Sequence, residues 1–367
     1  MSGFEVKGWC PDAWRPMMAG DGLLVRVRPP LGRLTSAQAE GLCAAAIRHG
    51  NGQIDLTSRA NLQLRGATET SWPELLADLQ ALGLVDSDPV REGRGAIIVQ
   101  PEWRDGDDSH AIAAELRARL AELRELPGKV GFVVDAGGAP ILTDAPGDFR
   151  IERATDGGLL LRADGRATGM AVAREGAVDA LIRLANWFAE SGARRMARHG
   201  APLPEWAAGD VSPAPASASL RPGAHPLGAV YGLPFGRIDA RALADQGAPL
   251  RLTPWRMLLV EDVAPTPTMG MTLEDIPILH VDACVGAPAC PQASVATRDL
   301  AARLAPLVKG RLHISGCAKG CARARAADWV LTGREGAFDL ARNARAGASP
   351  LHTGLTPERA VALLGAC

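Results

Sequence analysis

The chain has 367 residues, 47% of them hydrophobic, and a formal charge of −1. That length accommodates two or three domains with sizeable cores. The balanced charge excludes a global field favouring nucleic acid or an anionic membrane. No run of 18 apolar residues is present to cross a bilayer.

MSGFEVKGWC at the start lacks a charged-then-apolar leader, so a cytoplasmic location is expected. GLLVRVR at 22–28 alternates like a half-buried strand and places Arg26 and Arg28 on one side. Thr35-x-x-Gln38 is a capping box, predicting a helix that runs to Gly50. Strands follow at 53–56 and 61–65. Ser71-x-x-Glu74 predicts a second capped helix ending at Gly83. The order βαββα describes a sheet with helices on one face.

A different unit follows. It reads as a strand at 95–99, a helix at 108–125, a strand at 130–135, short strands near 149–153, 158–162 and 168–173, and a long helix over 175–199. Residues 201–226 are rich in Pro, Ala and Ser and read as a linker. Then the first pattern recurs. Gly32-Arg33-Leu34 followed by IDLTSRANLQLRG resembles Gly236-Arg237-Ile238 followed by LRLTPWRMLLVED. After 276 the second pattern recurs too: strand, helix (293–308), strand (311–314), and strands near 327–331 and 337–341. The chain therefore reads as two matching halves related by a pseudo-twofold, with chemistry expected at their interface.

Four of the seven cysteines form two pairs in the last segment, Cys284 with Cys290 and Cys317 with Cys321. Thiolates bind metal only when several converge, and a fold that joins two close pairs builds a four-thiolate site. Three chemistries compete. Zinc prefers tighter pairs than the first, a disulfide does not suit a reducing compartment, and a [4Fe–4S] cluster tolerates irregular loops. Gly286, Gly316 and Gly320 are placed to offer backbone N–H groups to its sulfurs. Cys43 lies in an apolar helical pattern and reads as core. Cys10 and Cys367 are assigned no role.

Taken together, these motifs resemble the nitrite/sulfite reductase family over nearly the whole chain. The resemblance rests on the Cys pairs, on Thr57-x-Arg59-x-x-x-Gln63, and on Leu126-Pro127-x-Lys129 before an apolar strand and Gly137-Gly138. It implies an α+β fold with duplicated ferredoxin-like half-domains (15–88 and 227–275), a tetrapyrrole-pocket domain (89–200) and a [4Fe–4S] domain (276–367), joined through the linker at 201–226. Two departures separate the chain from the sulfite and nitrite reductases. Cys317-Ala318-Lys319-Gly320-Cys321 lacks their Asn, and LPGKVGF has Gly131 where their second lysine stands. VDACVGAPAC, HISGCAKGC and LTPWR are instead similar to the precorrin-3B synthase branch, although Arg323 and Ala324 replace the His-Pro expected after Ala322.

That likeness implies O₂-dependent hydroxylation of precorrin-3A with lactone formation, ahead of ring contraction in cobalamin biosynthesis. A sirohaem-dependent sulfite or nitrite reductase is the alternative. Partners implied are the tetrapyrrole, O₂ and an external electron donor. Cofactors implied are a [4Fe–4S] cluster on Cys284, Cys290, Cys317 and Cys321, and a mononuclear non-haem iron. Arg59 and Lys129 are the expected catalytic cations. Lys319, Arg26 and Arg28 are expected to bind carboxylates beside them, with Arg65 and Arg256 as weaker candidates. His280 and His313 each precede a cluster cysteine by four residues. If both lay in extended strands they would share a face with those cysteines and approach the iron, with Asp282 beside them. A hydrogen-bonded strand histidine is the plainer reading of each.

Overall fold

The computed structural model describes residues 10–365, so Cys367 lies outside the described residues. Four five-stranded sheets carry the architecture. The first is ordered Met17–Ala19, Gly22–Val27, Leu62–Ala67, Gln53–Leu56, and then Arg237–Asp239 from the other half. The second is ordered Gly223–His225, Gly228–Gly232, Met257–Glu261, Leu250–Leu252, and then Arg33–Leu34 from the first half. Each sheet thus takes its last strand from its twin.

The exchange begins in a matched pair of turns. Leu31 and Gly32 have φ of 53° and 69°, and Phe235 and Gly236 have φ of 58° and 71°. A leucine or phenylalanine in this left-handed region costs about 1–2 kcal/mol. The exchanged strands offset it. Arg33 reaches across to Glu261 with two contacts of 2.7 and 2.6 Å, and Arg237 reaches Asp55 at 2.8 Å.

The hairpin that follows is also duplicated. Thr57 closes its turn by donating to Asn61 Oδ1 (2.7 Å) and accepting from the N–H of Arg59 (3.2 Å). Thr253 does the same with the Met257 carbonyl (2.8 Å) and the N–H of Trp255 (3.3 Å). Ala60 and Arg256 take the left-handed position in the two turns. Arg59 and Trp255 therefore occupy equivalent places.

Helix Ser36–His49 carries the predicted box. Thr35 Oγ1 accepts from the Gln38 N–H at 3.2 Å, and Gln38 Oε1 accepts from the Thr35 N–H at 3.0 Å. Its buried face presents Ala39, Leu42, Cys43, Ala45 and Ala46 to the first sheet's core. Helix Trp72–Ala81 begins differently from the expectation: the Ser71 hydroxyl donates to the His49 carbonyl at 2.7 Å instead of capping its own helix.

The remaining sheets share one topology. Ile97–Val99, Phe132–Asp135 and Phe149–Arg153 run parallel, and Leu159–Ala163 and Met170–Val172 follow antiparallel. Val281–Ala283, Leu312–Ser315, Ala327–Arg334, Ala337–Ala344 and His352–Leu355 repeat that order. Three helices are shorter than the sequence suggests: Asp108–Ala118, Arg174–Glu190 and Arg298–Leu304. The last starts late because 284–297 is used for the cysteine loop.

The segment 201–226 is not a free tether. It forms isolated bridges from Val211 to Gly169 and from Pro213 to Ala154. Leu220 is buried against Val230 and Leu259, with Trp255 packed beside them. Among the described residues no helix is long and apolar enough to cross a membrane.

Candidate active site between the halves

The alternation of Gly22–Val27 puts Arg26 opposite Gln63 on the neighbouring strand, and both side chains face away from the core of the first half. The Thr57 turn brings Arg59 to the same side, where its Nη2 donates to the Lys129 carbonyl at 3.1 Å. These residues line one wall of a cavity of about 420 Å³. The opposite wall holds Cys284, Cys290, Cys317 and Cys321, with Arg298 and Arg256 between. An adjoining recess is lined by Cys10, Arg26, Arg28 and Arg59.

The cationic wall is electrostatically frustrated. Burial lowers the Arg26 pKa, and Arg28 lowers it further; its Nε has no hydrogen-bond partner. Burial and then Arg195 lower that of Arg59. Arg28 is better matched, donating to the Glu92 carbonyl at 2.9 Å and to Oε1 at 3.2 Å. Guanidinium groups held this close without enough counter-charge form a receptor for anions. Arg65 is not part of it, since Asp21 takes its fork at 2.7 Å twice and Asp55 takes Nη1 at 3.3 Å. Lys129 contributes its carbonyl, and its side chain is exposed.

The cysteine wall is built from two loops. Gly286 stands at φ 68°, and a Cβ there would fall 2.7 Å from Thr297 Oγ1, so only glycine fits the close approach. Thr297 in turn donates to the Cys284 carbonyl at 2.6 Å. The N–H of Gly316 points at Cys284 Sγ at 3.2 Å, and that of Lys319 bonds Cys317. Burial pushes the Cys317 and Cys321 thiols up, and the nearby cysteines disfavour their ionisation further. Around one zinc, four sulfurs crowd to within about 4 Å of one another. Among the described residues no group of three or more His, Cys, Asp or Glu is arranged to hold a metal ion. Cys43 is core, as expected, with burial pushing its thiol up to about 12.

His280 and His313 do not share the faces expected of them. Pro277 starts a 3-10 turn over Pro277–His280, so His280 is not in an extended strand. It is exposed and pairs with Asp275 at 2.7 Å. His313 does lie in a strand, opposite Asp282, but it is wholly buried. Asp282 faces Arg256 at 3.0 Å, Arg323 at 3.2 Å and Arg311 at 3.8 Å. Neither histidine nor Asp282 lines the cavity, so this set does not fit a mononuclear iron there. Arg256, placed by its turn, also donates to the Ala322 carbonyl at 3.2 Å and braces the second cysteine loop.

Comparison with known proteins identifies relatives of the chain. The nitrite/sulfite reductase ferredoxin-like half domain matches residues 15–82. A precorrin-3B synthase from Sinorhizobium sp is 33% identical, over 94% of this chain and 84% of that protein. The chain belongs to the precorrin-3B synthase family. Relatives outside precorrin-3B synthases match less of it: a ferredoxin–nitrite reductase of Synechococcus elongatus is 31% identical over 35% of this chain and 27% of its own. The Mycobacterium tuberculosis NirA structure shares the fold, with a TM-score of 0.63 at 18% identity, over 94% of this chain and 79% of that one.

A Cβ at Gly131 would lie 3.0 Å from the Ala96 carbonyl oxygen and 3.5 Å from Arg59 Nη1. The Ala96 contact is tight, so a side chain at position 131 would require the backbone at 96 to give by a few tenths of an ångström, while the Arg59 contact is an ordinary one. Sequence reasoning missed Arg298, which no motif singled out. Its one signal was a basic residue at the start of the helix that follows the first cysteine pair.

Proposed function

We propose that the chain is an oxidoreductase that converts precorrin-3A to precorrin-3B, by O₂-dependent hydroxylation of the macrocycle with closure of an acetate side chain to a lactone. What carries this reading is a single cavity walled by Arg26 and Arg59 on one side and four cysteines on the other. A polycarboxylate ring needs cations that are not already neutralised, and Arg26 and Arg59 are such cations.

Cys284, Cys290, Cys317 and Cys321 would hold a [4Fe–4S] cluster, which supplies single electrons when bound. The four cysteines line one cavity from two irregular glycine-containing loops, which supports a cluster over a zinc site. Arg59, fixed by the Thr57 turn and the Lys129 carbonyl, orients the ring through its carboxylates. Arg26 and Arg28 take further carboxylates from the adjoining recess. Lys319 is exposed next to Cys317 and Cys321 and offers positive charge where a carboxylate edge or a reducing partner would approach. Reduction comes from a separate electron donor, in the cytoplasm. No step is assigned to a mononuclear iron.

Anaerobically purified protein incubated with precorrin-3A, a chemical reductant and O₂ is expected to yield a product one oxygen atom heavier net of lactone closure, by mass spectrometry. An unchanged macrocycle with four irons and four sulfides per chain would overturn the reading. An intense Soret band in the isolated protein, with reduction of sulfite or nitrite, would instead select the reductase.

A further inference from the structure

Asp55 is the meeting point of three segments. Arg237, from the exchanged strand, holds Oδ1 at 2.8 Å and Oδ2 at 3.3 Å. Arg65 holds Oδ2 at 3.3 Å. Arg298, from the helix after the cysteine loop, reaches only to 3.6 Å from Oδ1. Burial alone would raise the Asp55 pKa, but the three guanidinium groups outweigh it and hold the carboxylate ionised.

The twin site shows what balance looks like. There Glu261 serves two arginines, Arg33 and Arg251, each with a direct hydrogen bond. Asp55 is likewise served by two arginines, Arg237 from the exchanged strand and Arg65 from the neighbouring strand, although acid and arginine have traded strands relative to the twin. Arg298 is a third cation, whereas among the described residues the ion pairs of Glu261 are to Arg33 and Arg251. Its Nε and Nη1 are buried without any hydrogen-bond partner. Burial brings its pKa down to about 10, so it stays charged at neutral pH. Donors of this kind cost free energy unless an anion accepts from them.

Among the described residues lining that cavity, the acidic groups besides Asp55 are the four cysteines beside Arg298, of which Cys284 is near enough to favour the Arg298 charge. We propose that Arg298 is a positioning residue for the thiolate-bound cluster: its free N–H groups donate to the sulfur layer at Cys284 and raise the reduction potential. This rests on the cluster reading above. A positive charge and hydrogen bonds to sulfur both stabilise the reduced, more negative state. Through Asp55 the same guanidinium ties the centre to the exchanged strand Arg237–Asp239.

The test is an EPR-monitored redox titration of holoprotein without substrate. Arg298→Met is expected to lower the reduced-to-oxidised ratio about tenfold at a fixed applied potential, about 59 mV for one electron. Arg298→Lys should recover part of that, through its charge. An unmoved potential in Arg298→Met with iron and sulfide at wild-type content overturns the proposal, even if ring affinity falls. If the variant loses its cluster, the wild-type protein still decides. Protein labelled with ¹⁵N in arginine should show a ¹⁵N coupling to the reduced cluster in pulsed EPR, and its absence overturns the proposal. Wild-type protein without a cluster signal would instead sink the cluster reading itself.

Discussion

The two ferredoxin-like halves share a backbone and differ in what fills it. In the first, Arg26, Arg59 and Gln63 line the cavity and Arg28 lines its adjoining recess. By strand register and the matched turns, the second half has Val230, Gly232, Trp255 and Leu259 in those places. There, Leu220 from the supposed linker packs onto Val230 and Leu259 and fills the space. One copy has kept an unsatisfied receptor, which costs stability, and the other has become core. The lesson is that a duplicated fold needs one open site, and that the spare is best closed with apolar surface.

The largest effect is expected from forcing the second half to imitate the first. Val230→Arg would bury an unpaired guanidinium beneath Leu220, and should cost about 4 kcal/mol or more in urea unfolding. A variant with an unchanged midpoint would show that the plug at 220 is loose.

The second contrast lies in the two parallel-sheet units. His313 stands where Val133 stands in the other. Burial lowers its pKa from 6.5 to about 4, helped by Arg323 and Arg256 and opposed by Asp282. The unfolded chain therefore binds a proton between pH 6.5 and about 4 that the native state refuses, so stability falls as pH falls through that window. The loss amounts to about 3 kcal/mol. His313→Val should flatten this part of the acid limb, read as the wild-type-minus-variant difference in unfolding free energy at pH 7 and pH 4.5. Parallel curves would refute it.

The reverse exchange sharpens the comparison from the functional side. Arg26→Val puts the closed half's residue into the open one. Ring affinity should fall about ten- to a hundredfold, the worth of charge-assisted hydrogen bonds, while the thermal midpoint rises because a poorly matched buried cation is gone. Absorbance titration with precorrin-3A and calorimetry would check both signs. Smallest of all, Thr35→Ala should cost about 1 kcal/mol by removing the helix cap that follows the exchanged strand. Asp239, whose Oδ1 accepts from the Arg241 N–H at 2.9 Å, caps the corresponding helix in the twin. Asp239→Ala should cost less, since that helix has only five residues.

Much of this was legible in the chain because it is local. The Thr35 box, the strand parity that aims Arg26, and the repeated Gly-Arg turn all act within a few residues of one another. The cysteine spacing pointed to a shared site because two short loops need only one fold contact to meet. What failed was long-range or hidden by composition. Arg298 meets Asp55 across 243 positions of sequence, and nothing near either residue announces the other. Leu220 sat in a Pro/Ala/Ser-rich stretch whose average concealed its one large apolar side chain. His280 was misplaced although Pro277 is an ordinary sign that a strand is interrupted.

The crossed strands carry a consequence for how the chain becomes native. Arg33–Leu34 cannot find its place until residues near 250 exist, and the edge beside Gln53–Leu56 stays uncovered until Arg237–Asp239 arrives. A nascent chain stalled before the second half would present a bare, sticky sheet margin. Maturation is thus gated by completion of synthesis: the cavity, and any centre loaded into it, can be assembled only after the carboxy-terminal third has emerged.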